Sequence, residues 1–110
     1  ASEGGIGLKS TNWDAPWYLG PTVKDGTFPR NHHELIALIA PRPFLVIAGE
    51  QGNGAADGER SWPYLQAAEP IYRLTTDTPA IGLLNHRQGH PLPLALFPKI
   101  GEWFETYLAP

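Results

Sequence analysis

The chain contains no cysteine. That excludes disulfide bonds and thiolate chemistry, and it leaves the compartment unidentified. Long hydrophobic runs are missing as well: none approaches the ~18 apolar residues that a membrane span requires, so no membrane partner is expected. Positive charge is scarce. Eight Lys and Arg stand against eleven Asp and Glu, giving a net charge of -3 and a pI near 5.7. Such a chain offers no basic face to a phosphate backbone, and nucleic acid is not expected as a partner.

What is present describes a globular chain. Its 110 residues leave room for one domain with a modest core, and 42% of them are hydrophobic against 17% charged. Twelve glycines and twelve prolines point to many loops, while 11% aromatic residues and intact apolar segments argue against disorder. The first residues, Ala1-Ser2-Glu3-Gly4-Gly5, lead at once into irregular sequence. Only two strands are expected in the whole chain, which would leave sheet edges and apolar faces uncovered. The expectation is therefore an incomplete sheet, part of a larger domain.

Residues 1–30 show no sustained period of two or 3.6 and read as an irregular loop region. Trp13 and Trp17 lie in it; their indole faces suit stacking on a sugar or aromatic ligand, and equally suit covering a core beneath a long loop. From residue 31 to 110 the pattern reads helix, strand, helix, strand, helix. Asn31 matches an N-cap with Glu34 reaching back, ahead of a helix from Glu34 to about Ile39 that Pro41 and Pro43 stop. His32, His33 and Glu34 are adjacent, so on a helix they point in different directions and no metal site is expected. Phe44 to Ala48 is a continuous apolar run ended by Gly49, the signature of a strand covered on both faces.

The loop from Glu50 to Arg60 carries several carboxylates, and the carboxyl end of a buried strand is where α/β folds place functional groups. Ser61 is the expected N-cap of the next helix, whose apolar face is Trp62, Leu65, Ala68 and Tyr72, and Pro70 is expected to kink or interrupt that helix near Ala67. Ile81 to Leu84 is read as a buried strand, so strand, helix and strand imply two parallel strands joined by a crossover. The terminal helix spans about Leu94 to Leu108, its first turn separated by Pro98. Leu96, Ile100, Trp103, Phe104 and Tyr107 share the face directed at a sheet.

Between the second strand and the terminal helix lies IGLLNHRQGHP. Here His90 stands between Gly89 and Pro91, and a histidine just past a strand end can exchange protons near neutral pH. His86 shares the loop, and its expected role is supporting. The order of elements, an acidic loop followed by a histidine loop, resembles the last third of the α/β-hydrolase fold. HHELIALIAPRPFLVIAGE, ADGERSWPYL and IGLLNHRQGHP, together with SEGGIGLKSTNWDAPWYLG, resemble stretches of bacterial carbohydrate esterases related to glucuronoyl esterases and acetyl xylan esterases.

The resemblance implies a serine carboxylic ester hydrolase acting on plant cell-wall carbohydrate esters, without metal or organic cofactor. In it His90 would be the general base, Asp57 the orienting acid, and Trp13 and Trp17 parts of the substrate cleft. Glu50, Glu3 or a residue before Ala1 stay open for the acid, because the early loop positions Gln51, Gly52 and Asn53 depart from the family's Asp. No complete G-x-S-x-G occurs. Ser2 is too close to Phe44 for the intervening elements, so the serine and oxyanion-hole amides are expected upstream, in the missing N-terminal part of the same domain, and the chain alone is expected to be inactive. Secretion or a periplasmic location follows from the resemblance only. A peptidase or dienelactone-type hydrolase shares the same acid-histidine tail, and a non-catalytic hydrolase-like binding domain is the alternative from another class.

Overall fold

In the computed structural model, which describes residues 29–52 and 58–108, the regular elements follow the expected order of helix, strand, helix, strand, helix. Helix α1 (His32–Ala37) starts on a capping box. The Asn31 side chain accepts from the His32 N–H at 2.7 Å, and the Glu34 carboxylate accepts from the Asn31 N–H at 3.1 Å. These bonds occupy amide donors that have no partner inside the helix. The helix ends at Ala37, two residues earlier than expected. There the chain tightens into i to i−3 bonds, Ile39 N–H to Ile36 and Ala40 N–H to Ala37, ahead of Pro41.

Strands β1 (Phe44–Ala48) and β2 (Ile81–Asn85) pair in parallel, in a register that sets Phe44 against Ile81 and Ala48 against Asn85. Helix α2 (Trp62–Tyr72) makes the crossover between them. Side chains alternate across the sheet. Val46 and Ala48 point into the core with Ile36 of α1 and Leu65, Ala68 and Tyr72 of α2. Tyr72 is fully buried, and its hydroxyl satisfies itself by donating to the Arg42 carbonyl at 3.0 Å. Burial of a side chain such as Leu65 contributes roughly 1.5–3 kcal/mol. The architecture is thus helices around a small parallel sheet, compatible with the α/β class.

Four local expectations are corrected. Ser61 makes no capping bond: a 3-10 turn, Gly58–Ser61, runs straight into α2, so Ser61 already has helical angles and its buried hydroxyl finds no partner among the described residues. Pro70 does not interrupt α2, which continues to Tyr72. Both Pro70 and Gln66 are exposed, so the carbonyl deprived of its donor remains within reach of water. Trp62 is 42% exposed and stands apart from the apolar face formed by Leu65, Ala68 and Tyr72. Strand β2 is half-buried along its whole length instead of buried.

Helix α3 (Phe97–Leu108) follows a separate 3-10 turn, Leu94–Leu96, as Pro98 suggested. It lies over the second face of the sheet. Trp103 sits above Gly82, where an added Cβ would come within 3.1 Å of the indole. Trp103 also stacks obliquely on Tyr107 at 4.4 Å. The packing is looser than its apolar face implies, because no α3 residue is buried and Phe104 and Tyr107 remain exposed. Between Leu45 and Ile47 of β1 and Ile100, Phe104 and Leu108 of α3 there is an open groove of about 330 Å³.

Candidate active site

Because Ala48 and Asn85 are register partners, the two strands end level and their following loops start side by side. The loops are bonded to each other by backbone. The Glu50 and Gln51 N–H groups both donate to the Gln88 carbonyl, at 2.8 and 3.1 Å, and the His86 N–H donates to the Ala48 carbonyl at 2.9 Å. The Gln51 side-chain amide adds a bond to the Arg87 carbonyl at 2.9 Å. Contact is so close at Gly49 that a Cβ there would lie 2.5 Å from the Gln88 carbonyl oxygen and 2.8 Å from the His86 ring. The glycine that ends the first strand is therefore what lets the histidine loop approach.

Glu50 braces this corner. Its carboxylate accepts from the Asn85 side-chain amide at 2.7 Å and from the Glu59 N–H at 3.4 Å, and its stem fills the space beside Gly58 that a Cβ would need. Gly58 has φ +54°, a conformation that costs glycine nothing. Hydrogen bonding from Asn85 holds the Glu50 carboxyl below the usual glutamate range. The Glu59 N–H and the charges of Arg87 and Arg60 act in the same direction, while partial desolvation opposes them. Arg87 pairs with Glu59 at 2.5 Å, tying the histidine loop to the 3-10 turn.

The histidine loop is shaped by its own side chains. The Asn85 side-chain oxygen Oδ1 accepts from the Arg87 N–H at 3.0 Å, and Arg87 takes φ +60°. His86 Nδ1 accepts from the Gln88 N–H at 3.1 Å. His90 follows, exposed, between Gly89 and Pro91. A histidine presented from a loop bonded in this way can take a proton from, or return it to, a group brought to the carboxyl end of the sheet.

Of the residues singled out from sequence, His90, His86 and Glu50 are brought to this one corner. Asp57, Glu3, Trp13 and Trp17 lie outside the described residues, although Gly58, the chain neighbour of Asp57, packs on Glu50. Sequence reasoning missed the bracing roles of Asn85, Gln51, Gln88, Arg87 and Glu59. An Asn at a strand end, whose side chain favours a bond to the N–H two residues on, was the available signal for the first of these. At α1, Glu34 is committed to the capping box and to Arg30, and burial holds His32 below its ordinary range. Among the described residues no group of three His, Cys, Asp or Glu could hold a metal, and no helix is long and apolar enough to cross a membrane.

No protein-family model, curated protein or solved structure matches the chain.

Proposed function

We propose that this chain carries the acid-base loop of an α/β-hydrolase-type serine ester hydrolase acting on carbohydrate esters. The observation that supports this reading is the pair of cross-bonded loops at the carboxyl ends of parallel strands, one acidic and one holding an exposed His90. On this reading His90 takes the proton of a serine hydroxyl supplied by the part of the domain that precedes Ala1, and returns it to the leaving alcohol. Asp57 is the orienting acid, and Glu50, already engaged by Asn85 and Glu59, fixes the base of the loop that carries it. Trp13 and Trp17 form part of the sugar-binding wall. No metal or organic cofactor takes part.

The test is hydrolysis of a glucuronate methyl ester and of an acetylated xylan fragment by the full-length protein, with and without His90→Ala. Loss of turnover on the order of 10³-fold or more in a variant whose circular dichroism is unchanged supports the reading. Unchanged turnover removes His90 from the mechanism. Hydrolysis of peptide or lactone substrates in preference to both esters would move the protein to another hydrolase class, and absence of any turnover to a binding role.

A further inference from the structure

Two consecutive residues at the end of β2 each accept a hydrogen bond from the N–H two positions ahead. Asn85 does so through its amide oxygen, from Arg87 at 3.0 Å, and His86 does so through Nδ1, from Gln88 at 3.1 Å. The geometry is repeated, but the chemistry differs. An amide oxygen keeps its lone pairs at any pH, whereas an imidazole nitrogen is an acceptor only while the ring is neutral, both nitrogens of the imidazolium being donors. One bond of the loop is therefore permanent and the next can be removed by a proton. We infer that His86 is a positioning residue for His90: its neutral ring clips the loop closed, and a proton on Nδ1 opens the clip.

Opening has a defined route. A protonated Nδ1 would face the Gln88 N–H donor to donor, so the peptide between Arg87 and Gln88 must turn. The ring has little space in which to move instead, since it lies against Gly49, where an added Cβ would be 2.8 Å from Cε1. The peptide that turns carries the Arg87 carbonyl, which accepts from the Gln51 side-chain amide at 2.9 Å, so turning it breaks that bond of the seam; the next carbonyl, that of Gln88, is the one on which the Glu50 and Gln51 N–H groups converge, and His90 is two residues further on. The charged groups on the elements meeting here are Glu50 on the first loop, Glu59 and Arg60 on the 3-10 turn, and Arg87 and His90 on the histidine loop. Glu50 and Glu59 balance Arg60 and Arg87 in number, which leaves the loss of the acceptor to decide. Histidine is the side chain that ordinarily gains its proton on mild acidification.

The consequence for turnover rests on the ester-hydrolase reading, while the clip itself does not. Amide hydrogen exchange of the full-length protein, read residue by residue across the histidine range, separates the two. The Gln88 protection factor should fall about fivefold on acidification, the loss of one ordinary hydrogen bond, while that of Arg87 stays constant as the internal reference. His86→Asn, whose side chain accepts from the same N–H but does not titrate, should keep Gln88 protected throughout; His86→Leu should leave it unprotected at every pH. Constant Gln88 protection in the unmodified protein, a parallel fall at Arg87, or an undiminished fall in His86→Asn would overturn the inference. In the ester assay His86→Leu should lower turnover and His86→Asn, which restores an acceptor for the Gln88 N–H, should recover it. If neither protein hydrolyses an ester, the functional reading fails and the exchange result still decides the clip.

Discussion

Replacing Gly49 by alanine places one methyl group at the seam on which the site depends. The new Cβ would meet the Gln88 carbonyl oxygen at 2.5 Å, the Gly89 carbonyl oxygen at 2.8 Å and the His86 Cε1 at 2.8 Å, all closer than the 3.0 Å below which real Cβ contacts essentially never fall. Two of the three are backbone atoms, which cannot swing aside as the end of a long side chain can. Relief requires the histidine loop to withdraw by about half an ångström, a displacement in the range where inserted methyl groups cost about 1–3 kcal/mol. The same movement stretches the bonds that the Glu50 and Gln51 N–H groups make to Gln88, each contributing about 1 kcal/mol. A loss of roughly 2–4 kcal/mol is expected, a large share of the stability of a small domain. Urea unfolding would measure it, with Gly52→Ala as control: that residue has φ +76° and open space around it, so its cost is backbone strain of about 1 kcal/mol without displacement of the loop. Stability of Gly49→Ala within about 0.5 kcal/mol of the unmodified protein would refute the reasoning.

Three further outcomes follow from the packing and the charges. Gly101 lies within α3 with nothing near the position of a Cβ, so Gly101→Ala should stabilise by up to ~1 kcal/mol through helix propensity, and a lower urea midpoint would contradict that. Tyr72→Phe removes the bond to the Arg42 carbonyl while keeping the ring; since Arg42 is exposed and water can replace the donor, the loss should be about 0.5–1.5 kcal/mol by the same measurement, and a larger one would mean that the ring itself had moved. Acidification should lower stability in two stages. Burial depresses His32 in the folded chain, so its contribution is complete above the ordinary histidine range and is lost as pH falls through it; Glu34, bonded by Arg30, and Glu50, bonded by Asn85, are likewise depressed, and theirs is lost below the ordinary glutamate range. His32→Gln should shrink the upper stage in a urea midpoint measured against pH, and a midpoint that rises on acidification would reverse the sign.

The regular elements were legible where one physical signal dominated. The apolar run Phe44–Ala48 closed by Gly49 is a strand with the expected bounds, and Asn31 with Glu34 caps the first helix as its spacing required. Misreadings arose where a neighbouring element changed the local rule. Ser61 looked like a cap in isolation, but the 3-10 turn before it had already set helical angles; Pro70 looked like a break, but its position on the solvent side of the last turn made it tolerable. At the site, sequence indicated that His86, His90 and Glu50 belong to loops at strand ends. It could not indicate that Gln88 would accept two amides from the first loop or that Asn85 would hold Glu50, because those contacts depend on register between residues about 35 positions apart. Register is set by the crossover and the core, not by any local pattern.

The central claim is that His90 activates a serine, and its most direct measurement is labelling of the full-length protein by a fluorophosphonate, which reacts with an activated serine hydroxyl without requiring the natural substrate. The account predicts stoichiometric labelling of one serine preceding Ala1, and a rate that falls on the order of 10³-fold or more in His90→Ala while the fold is retained. Labelling at an undiminished rate in His90→Ala, or no labelling of the unmodified protein, would contradict it.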